Sequence, residues 1–456
     1  FQFRVSFMSN KVKTFPQGGI HPDDKKFSGG KPIVDLPLPK IVHIPCSQHI
    51  GAPAVPVVEP GAKVLTGQVI AKRNGFISAN VHSSVSGTVK RMVELPDPEG
   101  RKRQSFEIEV EGDNWAADID RSPWVKKDID ASPDEIRARV AEAGIVGLGG
   151  ATFPADVKLS IPSGKTAEFL IINGVECEPY LTSDHRLMLE KADEIIVGIK
   201  IVLKALGLTK ALVGIENNTP DAIERMQQAA GADPQIEIIP LKVWYPQGGE
   251  RQLVKALTNR EIPPPPRGLP IDVKCVVFNV ATCFAVYEAV QKQKPLIERV
   301  VTVTGDSVKD PSNFRVRIGT PIRTLIDAAG GLPEDTGKVI RGSVMMGKAM
   351  PDISIPVTKG AGGIVILPRK DSARKEQQVC IRCAKCVSAC PLGMEPYLLM
   401  SLVEHDRLDE AAAEKITSCC ECGCCSFTCP SNRPLLDYIR LGKTRVLQRI
   451  KARQKS

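Results

Sequence analysis

The chain has no apolar run long enough to cross a membrane, and it has few aromatic residues. No stretch of the sequence reaches the ~18 uninterrupted apolar residues of a membrane-spanning helix. The best candidate, IIVGIKIVLKALGL at 195–208, contains two lysines at helical spacing and therefore predicts an amphipathic helix. Aromatic residues make up 5% of the chain and do not alternate with basic residues in a stripe, which argues against binding to nucleic acid.

The first residues of the sequence do not predict a secretory signal. The first residues, FQFRVSFMSNK, lack a long apolar core and a small-residue cleavage site. The chain nevertheless contains 14 cysteines, ten of them between Cys380 and Cys429. A disulfide framework would spread its cysteines more evenly, whereas clustered cysteines in an unexported chain indicate metal ligands. We therefore expect a reducing, cytoplasmic compartment.

Short β-branched runs separated by turns follow an N-terminal segment of residues 1–29. They extend over residues 30–130 and predict an all-β domain. The segments EPGAKVLTGQVIA and HSSVSGTV resemble the sandwiched β-barrel of lipoyl and biotinyl carrier domains. A carrier domain needs a lysine at the hairpin tip, and the tip here, NGFISANVH, has none. We therefore expect the barrel to be a scaffold without a swinging arm.

Helices and buried strands alternate over residues 131–296, which predicts an α/β domain with ligands at the carboxyl ends of its strands. EFLIING, KALVGIE and IEIIPLKVW are the predicted strands. Residues 297–367 predict a small βαβ-type unit, similar to an SLBB domain. Residues 368–456 form a cysteine-rich region that is predicted to be helical between its two runs of cysteines, and we expect a ferredoxin-type domain from the spacing described next. The predicted fold class is thus a multidomain α/β plus all-β plus α chain.

Two cysteine runs share the spacing C-x2-C-x2-C-x3-C-P. This is the bacterial 4Fe–4S pattern, in which the fourth cysteine of each run ligates the other cluster. Zinc is the alternative, but zinc usually takes two C-x2-C pairs with a longer spacer. Cys420 and Cys424 fall outside the pattern, and we interpret them as small buried residues near a cluster. The predicted ligand sets are Cys380, Cys383, Cys386 and Cys429 for one cluster, and Cys419, Cys422, Cys425 and Cys390 for the other.

Polar loops follow several of the predicted strands. A glycine-rich loop, GIVGLGGATFPADVK, lets backbone N–H groups approach a phosphate closely, although a plain turn would look the same. The acidic segment NGVECEP directly follows EFLII. An acidic loop at the end of a strand suits the binding of ribityl or ribose hydroxyls, although a solvated loop could have the same sequence. YPQGGE opens a predicted helix, and FNVAT follows another strand.

Taken together, these four loops resemble the flavin- and NADH-binding subunit of respiratory complex I. The resemblance implies an FMN site, with Phe153 and Glu178 facing NADH. Leu148, Val175 and Gly249 depart from the family pattern, where an arginine and two acids stand. A non-catalytic electron wire with a decayed flavin site is therefore an alternative. The residues that the resemblance places around FMN are Gly147, Gly149, Gly150, Lys158, Asn173, Glu176, Tyr245, Gly248, Glu250, Asn279 and Thr282.

The order of the domains, together with TFPQGGIHP near the start, resembles the C subunit of the Rnf electron-transport complex from about Lys11 onward. The resemblance implies a peripheral, NADH-facing oxidoreductase component at the cytoplasmic side of the cell membrane, in an ion-translocating complex between NADH and ferredoxin. The implied partners are the ferredoxin-like B subunit of that complex, its membrane subunits and, indirectly, ferredoxin. The rival is the similar subunit of a sodium-translocating NADH:quinone reductase, and the eight ligand cysteines argue against it.

The last segment is basic. Residues 440–456 contain seven Lys or Arg and no acid. Apolar residues between Leu435 and Ile450 mostly recur at helical spacing and predict a helix that buries one face. Its charge is either a solvated face or a contact for an acidic partner or an anionic membrane surface.

Overall fold

The structure, a computed structural model, describes residues 12–97, 100–264 and 268–453. The predictions for residues 1–11 and for Lys455 of the basic segment lie outside the described residues. Within the described ranges, no helix combines the length and the apolar character that a membrane span requires.

The barrel unit (β2–β8) consists of two small antiparallel sheets packed over a shared core. Their strand orders are β2-β8-β7-β4 and β3-β5-β6. Side chains alternate as expected for half-buried strands, since Val42 and Ile44 are buried while Ile41 is exposed. The strands of this part of the chain are β1 (Val34–Asp35), β2 (Ile41–Pro45), β3 (Val55–Pro56), β4 (Lys63–Val64), β5 (Val69–Lys72), β6 (Val81–His82), β7 (Gly87–Pro96) and β8 (Lys102–Val110).

The hairpin tip of the barrel unit is fixed against the next unit. The side-chain amide of Asn80 donates to the carbonyl of Glu142 at 3.1 Å. Arg73 pairs with Asp156 at 2.6 Å. Ile50, in the loop after β2, donates its backbone N–H to the carbonyl of Thr152 at 3.2 Å. These contacts tie the barrel unit to the next unit at the tip and beside it.

The α/β unit (α1–α7) contains a parallel sheet with the order β11-β10-β9-β12 and a hydrophobic core on each face. The three predicted strands are confirmed, although β11 ends before the final KVW of IEIIPLKVW. Ser132 and Glu135 form a capping box at the start of α1, because each side chain accepts from the other's backbone N–H. The elements are α1 (Pro133–Glu142), α2 (Ala155–Lys158), β9 (Phe169–Asn173), α3 (Ser183–Glu190), α4 (Ala192–Leu206), β10 (Ala211–Glu216), α5 (Pro220–Ala230), β11 (Ile236–Leu241), α6 (Glu250–Thr258), β12 (Cys275–Asn279) and α7 (Val280–Lys292).

The third unit contains a mixed sheet with the order β1-β14-β13-β17-β15-β16. The expected βαβ order is wrong at its start, since β13 and β14 pair antiparallel. Residues 305–311 join them, and a parallel crossover needs about a dozen residues or more. Strand β1 pairs with β14, so residues 34–35 lie in this sheet and not in the barrel. The further elements are β13 (Glu298–Thr304), β14 (Ser312–Arg317), α8 (Ile322–Ala328), β15 (Thr336–Arg341), β16 (Lys348–Ala349), β17 (Gly363–Pro368) and α9 (Arg369–Ser372).

The cysteine-rich unit (α10–α14) is helical. The stretch between its two cysteine runs forms two helices, α11 and α12, because the chain turns at Asp406 with a positive φ of 55°. Helix α14 packs against α11 where Gly442 meets Val403, a position at which any side chain would overlap. The helices are α10 (Lys385–Ser388), α11 (Pro396–Glu404), α12 (Leu408–Ala413), α13 (Cys424–Thr428) and α14 (Leu435–Arg453).

Candidate flavin pocket and cysteine-rich centre

A cavity of about 160 Å³ opens at the carboxyl ends of β9 and β12. It lies where a parallel sheet ordinarily binds its ligand. Most of the residues that the sequence places around a flavin line this cavity, together with Phe153, Val277 and Phe278. The predicted residues found there are Gly147, Gly149, Lys158, Asn173, Gly248, Glu250, Asn279 and Thr282.

The glycine-rich loop forms one wall of the pocket and is held from both sides. The N–H of Gly147 donates to the carbonyl of Phe153 at 2.8 Å, and the N–H of Leu148 donates to Oγ1 of Thr282 at 2.9 Å. A Cβ on Gly149 would lie 3.4 Å from the Cβ of Asn279, so the glycine-rich loop packs directly against Asn279. Gly150 has φ +114°, which requires glycine, and it faces a different cavity between the barrel and third units.

Asn279 fixes the opposite wall. Its side-chain oxygen caps α7 by accepting from the N–H groups of Ala281 and Thr282 at 2.9 and 3.3 Å. Its amide donates to Asp184 at 2.6 Å and to the carbonyl of Asn173 at 3.3 Å. Asn279 is thus saturated by the protein and acts on the pocket by positioning its walls.

Two charged groups face each other in the pocket. Nζ of Lys158 lies 3.8 Å from the carboxylate of Glu250 and donates to the carbonyl of Val277 at 3.1 Å. The ammonium group of Lys158, beside the glycine loop, could bind a phosphate. The carboxylate of Glu250 and the amide of Asn173 could bind ribityl hydroxyls. The rings of Phe153 and Phe278 could pack against an aromatic ring. The residues present therefore fit FMN.

Glu176, which the sequence places at the flavin, makes other contacts. Its carboxylate accepts from the N–H groups of Asp184 and His185, both at 2.9 Å, and so caps α3. Lys26 from the N-terminal segment donates to the carbonyls of Glu176 and Glu178 at 2.7 and 3.0 Å. The acidic loop is therefore held by a lysine that the sequence analysis missed.

Tyr245 and Glu178 also lie away from the cavity, at the junction with the cysteine-rich unit. The hydroxyl of Tyr245 donates to the carbonyl of Cys422 at 2.8 Å and lies 3.3 Å from the carboxylate of Glu178. That carboxylate also accepts from Ser343 of the third unit. Burial raises the pKa of Glu178 to about 7. Three units thus meet around this one carboxyl group.

Two further buried carboxyl groups lie in the α/β unit. Burial, and then the neighbouring Glu176, raise the pKa of Asp184 to about 7. Burial raises the pKa of Glu216 to about 8. The unfolded chain releases these protons near pH 4, while the folded chain keeps them to about pH 7 or 8. These two carboxyl groups therefore favour the folded state most at about pH 4 and below. Their contribution to the free energy of unfolding falls as the pH rises from about 4 to about 7 or 8.

We expect Glu216→Gln to flatten this dependence. In wild type, ionisation of Glu216 should remove on the order of 3 kcal/mol between about pH 5 and pH 8. The measurement is the melting temperature of both proteins across that range. Glu237→Gln, at an exposed carboxylate on the same sheet, is the matched control. A slope equal to that of wild type in Glu216→Gln would contradict the assignment.

Cysteines from both runs line a second cavity, together with Pro391, Met394 and Leu399. Two of these sulfurs accept backbone hydrogen bonds: Cys390 from Met394 N at 3.4 Å, and Cys419 from Glu421 N at 3.3 Å. Backbone donors to sulfur are a common feature of iron–sulfur sites. This donor set therefore fits a cluster. The cysteines in the lining are Cys390, Cys419, Cys420, Cys422, Cys424 and Cys425.

The other predicted ligand set is more open. Cys380 and Cys383 are exposed, while Cys386 and Cys429 are half-buried. Burial raises the pKa of the Cys386 thiol, and the nearby Cys429 raises it further. Among the described residues, no three His, Cys, Asp or Glu side chains are grouped tightly enough for a single metal ion. The thiolates around a 4Fe–4S cube stand farther apart than those around one ion.

The N-terminal strap (residues 13–28) joins the α/β unit to the cysteine-rich unit. Ile20 and Tyr245 exchange backbone hydrogen bonds at 2.8 and 2.9 Å. Gly19 N donates to the carbonyl of Ala389 at 3.0 Å, and the indole of Trp244 donates to the carbonyl of Gly18 at 2.8 Å. The motif TFPQGGIHP lies in this strap, and the sequence alone suggested no role for it.

Comparisons with known proteins agree with this arrangement. Residues 13–113 match the RnfC barrel sandwich hybrid domain, residues 140–288 the Nuo51 FMN-binding domain, and residues 300–349 the SLBB domain. Over 405 residues, 88% of this chain and 87% of the relative, the chain is 45% identical to the C subunit of the proton-translocating ferredoxin:NAD(+) oxidoreductase complex of Clostridium ljungdahlii. The chain belongs to this Rnf C-subunit family.

Two more members of the Rnf C-subunit family match along nearly the whole chain. The C subunit of the Na(+)-translocating ferredoxin:NAD(+) oxidoreductase complex of Acetobacterium woodii is 40% identical, over 96% of this chain and 98% of its own length. The C subunit of the ion-translocating oxidoreductase complex of Rhodobacter capsulatus is 41% identical, over 95% and 83%. The predicted family is confirmed, and this Rnf C-type chain is an electron-transfer subunit of an oxidoreductase complex. The names of the relatives differ in the ion, so membership leaves the ion open.

Proposed function

We propose that this protein passes electrons between NADH, FMN and two 4Fe–4S clusters, as the peripheral part of a membrane-bound, ion-translocating NADH:ferredoxin oxidoreductase at its cytoplasmic side. The observation that carries the proposal is the continuity between the two sites. Gly248 lines the flavin pocket and donates its N–H to Sγ of Cys177 at 3.3 Å. Cys177 packs with Tyr245 and Cys422 in one apolar cluster.

In this proposal Lys158, Glu250 and Asn173 hold FMN, with the glycine loop against its phosphate. Phe153 and Phe278 supply the apolar surface for the flavin and nicotinamide rings. When bound, FMN converts the two electrons of a hydride into the single electrons that a cluster carries. Glu176 and Tyr245 act from behind the pocket, by fixing α3 and the junction.

The cluster ligands follow the crossed pattern. The enclosed set is Cys390, Cys419, Cys422 and Cys425, of which Cys419 is half-buried and the others are buried. The open set is Cys380, Cys383, Cys386 and Cys429, of which Cys380 and Cys383 are exposed and the others half-buried. Cys420 and Cys424 pack beside the enclosed set in the apolar cluster at the junction. We assign these two no ligand role.

Lys158→Ala should weaken the retention of FMN by about 10- to 100-fold, since a charge-assisted hydrogen bond contributes about 1.5–3 kcal/mol. The measurement is flavin fluorescence during titration of the flavin-free protein, beside iron content. Lys165→Ala, an exposed lysine paired with Asp272 in the same unit, is the control. Iron-loaded wild type that binds no FMN and does not oxidise NADH would establish the alternative, a flavin-less electron wire.

The partners in this proposal are the ferredoxin-like B subunit, the membrane subunits and, through them, ferredoxin. Helix α14 contributes little free charge, because its arginines lie beside acids of the same unit: Arg440 beside Glu421, Arg445 beside Asp406, and Arg449 and Arg453 beside Asp409. Val446 is buried in the core, so the helix is a structural part of the unit. We therefore propose attachment through proteins, with an anionic membrane touching only the end of α14.

A further inference from the structure

The two cysteine sets differ sharply in their surroundings. The set around Cys390 is covered by Tyr245 of the α/β unit and Ile20 of the strap, which pack in one apolar cluster with Ala389, Cys422 and Cys424. The set around Cys380 reaches the surface. In the proposed function, the enclosed set is therefore the one next to the flavin pocket, and Cys380 and Cys383 mark an exit at the surface.

Large apolar side chains surround this exit. Val379 and Ile381 flank Cys380 and are 83% and 67% exposed. Tyr397 is exposed and lies in the first turn of α11, which packs against α10. The exposed Phe427 lies on α13, which packs against α10. Exposed apolar patches of this kind mark interaction sites.

The same face is basic. Arg382 and Lys385 are exposed and, among the described residues, form no ion pair. This differs from the arginines of α14, which are paired within the unit. The surface therefore favours an acidic partner.

We infer that this exit patch (Val379, Ile381, Tyr397 and Phe427, with Arg382 and Lys385) is the docking surface for an acidic protein partner that has a one-electron centre near its own surface. The inference rests on the proposed function. A lipid surface would also match a basic, apolar patch, but it cannot accept the electrons that this chain would pass on. NADH gives NAD+, one proton and two electrons, so two one-electron reductions of the partner balance each NADH oxidised.

The test uses the iron-loaded full chain and washed membranes that hold the rest of the complex but lack this chain. Ile381→Ser and the double variant Arg382→Glu/Lys385→Glu should each weaken rebinding by about tenfold or more. The loss with the charge variant should shrink at high salt. Phe76→Ser, at an equally exposed apolar residue on the barrel tip, should rebind like wild type. Iron content is measured for every variant.

Rebinding to the membranes is measured without NADH, so its outcome does not depend on the proposed function. The proposed function fails separately, if wild type neither binds FMN nor oxidises NADH. Normal rebinding of both exit-patch variants would overturn the inference. Equal loss with Phe76→Ser would overturn it as well. Binding to phosphatidylglycerol vesicles that the exit-patch variants abolish would show a membrane contact instead, and self-association that they abolish would show a second copy as the occupant. If Ile381→Ser loses iron, the charge variant alone decides.

Discussion

Replacing Cys390 with serine should reduce the iron content of the reconstituted chain from about eight to about four, and the cluster lost should be the one held by the second cysteine run. Cys390 is the last cysteine of the first run, yet it lines the same cavity as Cys419, Cys422 and Cys425. Short loops let three closely spaced cysteines bind one face of a cube, and the fourth ligand then comes from elsewhere.

Double variants show which cluster is lost. Cys390→Ser combined with Cys419→Ser should lose no more iron than either single variant, because both residues would serve one cluster. Cys390→Ser combined with Cys380→Ser should lose nearly all of it. Cys424→Ser, a fully buried neighbour in the same cavity, should retain about eight irons. If the Cys390/Cys380 pair behaves like a single variant instead, the crossed assignment is wrong.

Gly18→Ala should destabilise the junction between the α/β and cysteine-rich units. Gly18 has φ +69°, and an added Cβ would overlap the carbonyl of Cys390 and lie 2.7 Å from Pro391 N. The left-handed conformation costs a non-glycine residue about 1–2 kcal/mol. Displacing the backbone of Cys390 should add about 1–3 kcal/mol. The apparent melting temperature should fall accordingly, and iron should be lost from the cluster that contains Cys390.

Gly61→Ala separates these two contributions. Gly61 has a similar positive φ of +90°, but a Cβ there would meet no atom within 4 Å. Its substitution should therefore show the conformational cost alone and leave the iron content unchanged. If both variants lower the melting temperature equally and keep their iron, the strap does not position Cys390.

Local patterns in the sequence were sufficient for the elements and for the family. The alternation of apolar residues and the capping signals predicted β9, β10 and α1 with their ends, because such signals act over a few residues. The spacing of the cysteines predicted the ligand type for the same reason. The resemblance to the flavin subunit placed the loops after β9 and β12 around one ligand, and in the structure both line one cavity at the carboxyl ends of these parallel strands.

Contacts between distant segments were decided only by the tertiary structure. The resemblance to the flavin subunit of complex I placed Glu176 and Tyr245 at the flavin. The fold uses the first as a helix cap and the second as a link to Cys422. The antiparallel β13–β14 pair and the place of β1 in the third sheet were likewise unpredictable from local pattern. Sequence motifs specify which chemical groups a segment carries, whereas burial and long-range packing decide which of those groups line the cavity. For this chain, packing also decided that one cysteine set is enclosed and the other exposed.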